Sequence, residues 1–246
     1  ICNDSILKLV EQHITSKIST VIICGANANI DSCKKNEKLS YELNVKGTKK
    51  LIEEIKQLNT KCVFLSSEAV FDGKMGRECE EDTPNPITVY GKQKLSIEKY
   101  IMQELEDYII FRLSRVIGNH FGEKDIFNDF YTRILKNEEI FCLKDMSFCL
   151  TDIEDVSKII VSAVEKNICG LYHLSSNNHI SRYDLANRYA DMIFGGYSKI
   201  REKQYEEIPF LDRRSVKGGL NGNKIAQLLE LQYNSLDNIL DRYFKD

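Results

Sequence analysis

Thr20-Val21-Ile22-Ile23-Cys24-Gly25 is an apolar run that stops on glycine, and Cys62-Val63-Phe64-Leu65 is a second one that stops on Ser66-Ser67. Continuous apolar runs of this length suit strands covered on both faces. Between them, residues 36–58 carry Leu39, Leu43, Val45, Leu51, Ile52 and Ile55 at helical spacing, so one long helix is expected there. Two buried strands joined through a helix run parallel, because the crossover returns the chain to the same end of the sheet.

The same rhythm continues on either side. Upstream, Asp4 or Ser5 caps a helix containing Ile6, Leu7, Leu9 and Val10. Downstream, a loop with Gly73, Gly76, Pro84 and Pro86 leads into a helix from Val89 to about Glu106, then the strand Tyr108–Leu113. A helix over 126–135 precedes two short strands, Ile140 to Leu143 and Phe148 to Leu150; Thr151-Asp152 caps a helix through Ala163, and Leu171–Leu174 is another strand. After Ser176 the pattern changes to helices and loops, with Ser181 capping a helix to about Phe194 and two more over 223–231 and 235–244.

The expected fold is therefore α/β, a doubly wound parallel sheet over residues 1–175, with a smaller lobe at 176–246 to which 116–139 contribute. Ligands in such sheets sit at the carboxyl ends of the strands. That rule points to Gly25-Ala26-Asn27, to Ser66-Ser67 and to the residues after Leu113.

Composition narrows the function. The 246 residues are 42% hydrophobic and 29% charged, ordinary for a globular chain. A net charge of −3 with scattered basic residues argues against nucleic acid as a partner. No apolar run approaches the ~20 residues of a membrane span, and Ile1-Cys2-Asn3-Asp4 lacks the layout of a signal peptide, so a cytoplasmic protein without a membrane partner is expected. Eight cysteines never form Cys-x-x-Cys and read as free thiols, Cys24 and Cys62 packing within strands. The four histidines (13, 120, 173, 179) are dispersed, so no metal site is expected. Gly218-Gly219-Leu220-Asn221-Gly222 follows no strand and reads as a loop before a helix.

Tyr90 and Lys94 stand one helical turn apart, on one face. A tyrosine titrates near pH ~10, and an ammonium beside it favours the phenolate, so the pair suits proton transfer to or from a substrate oxygen. Chance gives roughly one Tyr-x-x-x-Lys in a chain with twelve tyrosines. An ordinary amphipathic helix explains the spacing equally well until its surroundings are considered.

Those surroundings carry a resemblance. Val21 to Asp31, Asn44-Val45-Lys46-Gly47-Thr48, Ser66-Ser67-Glu68-Ala69-Val70-Phe71-Asp72-Gly73, Tyr90-Gly91-Lys92-Gln93-Lys94 and Thr151 to Val156 together resemble the extended short-chain dehydrogenase/reductases. They are most similar to the dTDP-4-dehydrorhamnose reductases and their sugar-nucleotide relatives. The third segment is the most specific, matching Ser-Thr-Asp-x-Val-Phe-Asp-Gly.

The resemblance implies a Rossmann-like fold, NADP or NAD as cofactor, and reduction of a nucleotide-linked 4-keto-6-deoxy sugar. It makes Ser67, Tyr90 and Lys94 catalytic: Tyr90 donates the proton, Ser67 holds the same oxygen, and Lys94 lowers the tyrosine pKa and binds the nicotinamide ribose. Gly25, Ala26, Asn27, Asn44, Ser66 and Leu113 join Tyr90 and Lys94 on the cofactor side. Ser67, Ala69, Arg115 and Arg214 face the substrate. Asn44 also reads as a polar residue satisfied by a helix carbonyl, Ser66 as a turn residue, and Arg213-Arg214 as a solvated charge pair.

Two positions depart from the pattern: Ala69 stands where tyrosine is usual and Arg115 where tryptophan is usual, which leaves the sugar open. The opening strand, Gly-x-x-Gly-x-x-Gly turn and helix of these reductases have no match here, so the fold is expected to be truncated at its N-terminal side, with that unit upstream of Ile1. An epimerase or dehydratase of the same superfamily, and a non-catalytic dinucleotide-binding regulatory subunit, remain alternatives. By analogy the helices at 36–58 and 89–106 form a homodimer interface.

Overall fold

The computed structural model describes residues 18–118 and 125–243. The helix expected around Asp4 to Val10, and His13 and His120, lie outside them. In chain order the strands are β1 (Thr20–Ile23), β2 (Lys61–Ser67), β3 (Tyr108–Leu113), β4 (Arg115–Ile117), β5 (Ile140–Leu143), β6 (Ser147–Asp152), β7 (Gly170–Leu174), β8 (His179–Ser181) and β9 (Ile200–Lys203). The α-helices are α1 (Ile30–Lys35), α2 (Glu37–Tyr41), α3 (Thr48–Leu58), α4 (Val89–Glu104), α5 (Ile126–Leu135), α6 (Ile153–Glu165), α7 (Arg182–Phe194), α8 (Asn223–Leu229) and α9 (Leu236–Tyr243).

A four-stranded parallel sheet, in the order β1-β2-β3-β7, carries the architecture. Its two faces are buried in different clusters, because successive side chains on a strand point to opposite sides. Cys62, Phe64 and Ile110 pack with Ile52 and Ile55 of α3 and Ile97 and Ile101 of α4. Val63, Ile109 and Phe111 pack with Val156, Ile159 and Ala163 of α6 and with Ile225 and Leu229 of α8. The expected α/β fold with a parallel sheet covered on both faces is what these residues build.

Beyond this sheet, β4 pairs parallel with β6, which pairs antiparallel with β8, and β5 pairs parallel with β9. A separate apolar cluster fills the space between these strands and α5, α7 and α9, centred on Phe127, Phe130 and Tyr189. The rings of Phe127 and Tyr189 stack at 5.6 Å. Asp152 and Ser181 cap α6 and α7 as their positions suggested, accepting from the Glu154 and Asp184 amides at 3.0 Å each.

Several sequence expectations are corrected. Among the described residues β1 is an edge strand, hydrogen-bonded to β2 alone, with Ile22 45% exposed. Cys24 is exposed too, not packed within a strand. An apolar run reads the same at an edge as at the centre, since composition does not encode the neighbour. The helix over 36–58 is two α-helices joined by a π-helical segment, Glu42–Gly47, and Leu39 on its first part is exposed. The stretch after Ser176 contains strands β8 and β9 as well as helices; three residues, and the largely charged Ile-Arg-Glu-Lys, give too little alternation to read as strands. The seven cysteines among the described residues are all free thiols.

Candidate active site

Helix α4 is seated by its first turn. Thr88 accepts from the Gly91 amide at 2.9 Å, and Asp212, from the C-terminal stretch, accepts from the Val89 amide at 2.9 Å. Gly91 has no room for a side chain: a Cβ there would lie 1.9 Å from the Ala69 carbonyl oxygen. The start of α4 therefore lies directly on the turn Glu68–Val70 that follows β2.

This contact brings the Tyr90 phenol beside the Ser67 hydroxyl, whose hydrogen bonding favours the phenolate. Tyr90 is 7% exposed and packs with Cys33 and Ala69. Burial pushes its phenol up to about 12, and the bond to Ser67 offsets this only in part. Lys94 donates from Nζ to the Leu65 carbonyl at 2.7 Å and lies 4.5 Å from the centre of the Phe64 ring. Burial draws its ammonium down to about 8, against the attraction of Glu98. Lys94 Nζ is 5.8 Å from the Tyr90 ring centre, yet the net shift of the phenol is upward, set first by burial, where a lowering by the ammonium was expected. The result is a phenol that keeps its proton, which suits a donor.

Asn44 lies in the π-helical segment, a geometry that often marks functional sites. Its Oδ1 accepts from the Asn27 amide at 2.8 Å, and its Nδ2 donates to the Asn27 carbonyl at 3.0 Å and to Gln93 Oε1 at 2.8 Å. The loop after β1 is thereby tied to α4. A helix carbonyl is not its partner among these contacts. In that loop Gly25 is exposed, and a Cβ on it would meet nothing within 4 Å.

Two expected cofactor residues turn inward. The Ser66 hydroxyl is buried and bonds to Glu98, and the Leu113 side chain packs with the apolar cluster on the α6 face of the sheet.

The four residues expected on the substrate side converge. Ser67, Ala69, Arg115 and Arg214 line one cleft of about 410 Å³, together with Phe148 and Arg182. The Arg115 guanidinium stacks on Phe148 at 4.8 Å, Arg182 donates to Asp129 at 2.8 Å, and Arg214 pairs with Asp31 at 2.8 Å. Arg213 is exposed. Glu68 accepts from the Gly219 amide at 2.6 Å; burial raises its carboxyl pKa, opposed by that bond and by Arg115. Sequence reading missed Glu68, Arg182 and Asp212. A helix-initial arginine and a loop aspartate carry no motif, and Glu68 stood at the acidic position of one without a role assigned to it.

Among the described residues no helix is long and apolar enough to cross a membrane, and no group of three or more His, Cys, Asp or Glu could hold a metal ion.

The RmlD substrate binding domain family matches residues 3–246. The chain belongs to that family. This RmlD-family chain is 26% identical over 229 residues to dTDP-4-dehydrorhamnose reductase of Aggregatibacter actinomycetemcomitans, covering 88% of the chain and 77% of that protein. It is also 26% identical over 182 residues to methionine adenosyltransferase 2 subunit beta of Bos taurus, covering 70% of the chain and 53% of the relative, about half its length. In fold the RmlD-family chain matches the crystal structure of dTDP-4-dehydrorhamnose reductase from Bacillus anthracis in complex with NADP, with a TM-score of 0.85 over 96% of this chain and 83% of that one, at 22% identity.

Proposed function

We propose that this protein reduces the ketone of a nucleotide-linked 4-keto-6-deoxy sugar with NADPH or NADH, as a dTDP-4-dehydrorhamnose reductase does. The observation that carries this reading is Ser67, with the buried Tyr90 phenol beside it, in the wall of a cleft that also presents Arg115, Arg182 and Arg214.

The residues at the ends of β1 and β2 fit the nicotinamide-ribose end of a dinucleotide. Gly25 leaves open space where even a Cβ meets nothing, and Lys94 offers a buried ammonium beside Tyr90. When bound, the dinucleotide supplies the hydride that adds to the carbonyl carbon. Tyr90 gives its phenolic proton to the carbonyl oxygen as negative charge grows there. Ser67 donates to the same oxygen and holds it in line. Lys94 balances the phenolate that remains until solvent returns a proton. The arginines supply planar forks for an anionic diphosphate, and Phe148 offers a ring face. A homodimer through residues 36–58 and 89–106 completes the proposal, supported by the exposed Leu39, Tyr41 and Met102 there.

A second reading is a non-catalytic dinucleotide-binding subunit. The equal identity to methionine adenosyltransferase 2 subunit beta favours it. Assaying the full-length protein with each reduced nicotinamide dinucleotide and a dTDP-linked 4-keto-6-deoxy sugar separates the two. The reductase reading expects turnover that Tyr90→Phe cuts by about a hundredfold or more while cofactor binding persists. Absence of turnover in the wild-type protein, with tight copurification of another enzyme, defeats it.

A further inference from the structure

Tyr90, Lys94 and Glu98 follow one another at four-residue intervals, so they form a single stripe along α4. Each meets β2: Lys94 donates to the Leu65 carbonyl, Glu98 accepts from the Ser66 hydroxyl, and the Tyr90 phenol stands beside Ser67. The remainder of that interface is apolar, built from Phe64, Ile97, Ile101 and Ile110. Glu98 is fully buried, and Arg112 of β3 grips it from the side. Arg112 Nε lies 3.1 and 3.2 Å from the two carboxylate oxygens, and Nη2 lies 2.7 Å from Oε2. Arg112 is buried in turn, with Nη1 3.4 Å from His173 Nε2 and its guanidinium 5.0 Å from the Phe71 ring centre.

A buried ion pair is a poor device for stability alone, because taking both charges out of water costs several kcal/mol that an apolar pair avoids. It adds direction and sign. Two oxygens held by a planar fork and a strand hydroxyl fix both the rotation of α4 and its height on β2. A negative charge is also set one turn below Lys94.

We infer that Glu98, held by Arg112 and Ser66, is the positioning residue of the Tyr90–Lys94 pair, aligning it with Ser67 and supplying the counter-charge to the Lys94 ammonium. This rests on the reductase reading for its catalytic consequence, but not for its electrostatic one. The groups facing Lys94 are Glu98 and Tyr90 from α4, Phe64 and the Leu65 carbonyl from β2, and Cys24 after β1. Glu98 is the carboxylate among them, and its attraction opposes the burial that draws the ammonium down.

The test is Glu98→Gln in the full chain, with the Lys94 titration followed by NMR of 13C-labelled lysine and assigned through Lys94→Met. Loss of the counter-charge should weaken proton binding at Lys94 by about threefold or more, and should move the alkaline limb of turnover to lower pH by the same factor. A merely structural Glu98 would lower the melting temperature without moving either midpoint, and an unmoved Lys94 midpoint in folded Glu98→Gln overturns the inference. Arg112→Lys keeps both charges and loses the fork. It should lower kcat about tenfold at unchanged KM with the Lys94 midpoint retained, and an unchanged kcat overturns the positioning role even if Glu98→Gln does not fold. Absence of turnover in the wild-type protein defeats the reductase reading and leaves the Lys94 midpoint of Glu98→Gln, or of the equally uncharged Glu98→Met should Glu98→Gln not fold, to decide this one.

Discussion

The Asp31 carboxylate lies 2.8 Å from the Arg214 guanidinium, joining the helix after β1 to the C-terminal stretch at the edge of the cleft. Arg214 also donates from Nη1 to the Asp212 carbonyl at 3.4 Å, and the Asp212 carboxylate accepts from the Val89 amide that precedes Tyr90. A ligand that engages Arg214 thus acts on a clasp that reaches the first turn of α4.

Arg214→Ala should cost about 1 kcal/mol of stability, because the Asp31 side chain it pairs with is 47% exposed and can be hydrated in its place. Under the proposed function, KM for the nucleotide sugar should rise about tenfold or more while kcat changes little. Steady-state kinetics decides it. An unchanged KM would remove Arg214 from the substrate side.

Gly91→Ala forces a Cβ to within 1.9 Å of the Ala69 carbonyl unless α4 moves. The expected cost is about 1–3 kcal/mol in chemical denaturation, as for other overpacked sites. Turnover should fall more than stability alone explains, since the same shift separates Tyr90 from Ser67. Wild-type turnover in a destabilised variant would mean that the two hydroxyls do not need this seating.

Asn44→Ala leaves the Asn27 amide and Gln93 Oε1 without their partner. A loss of about 1–3 kcal/mol is expected, with weaker binding of the nicotinamide dinucleotide because the loop holding Gly25 is released. Calorimetry and fluorescence titration read the two effects separately. Unaltered dinucleotide affinity would confine Asn44 to a structural role.

Lys94 gives a pH signature of its own. Its folded-state value is about 8 against an ordinary 10.5, so between these the unfolded chain binds more protons than the folded one. Stability therefore rises with pH across that window, by up to about 3 kcal/mol from this group. The burial penalty is fully present below pH ~8 and gone above ~10.5. Comparing wild type with Lys94→Met between roughly pH 7.5 and 9.5 isolates the contribution, before the Tyr90 phenol begins to ionise in the unfolded chain. Parallel curves would mean that Lys94 is not desolvated.

Much of the site was legible because short motifs fix it locally. Ser67 at a strand end and Tyr90 and Lys94 on the next helix could be placed from spacing and the strand-end rule. Ala69, Arg115 and Arg214 came from the resemblance, and the structure sets them around one cleft. The rest depends on partners distant in the chain. Glu68 meets Gly219 and Asp212 meets Val89, pairings that no local pattern announces. The electrostatics were misread for a related reason: adjacency of Tyr90 and Lys94 is visible in sequence, whereas their common burial is not, and burial dominates both groups. The π-helical turn at Glu42–Gly47 was hidden because its apolar spacing still passes for α-helix.

Helix α8 covers Val63, Phe111 and Leu174 with Ile225 and Leu229, although it follows all three strands in sequence. During synthesis the strands that form this face leave the ribosome well before their cover does. Helix α6 can cover its share of this apolar face earlier, but the part under Ile225 and Leu229 stays open to solvent until residues 223–229 emerge, an interval in which the nascent sheet is exposed to aggregation.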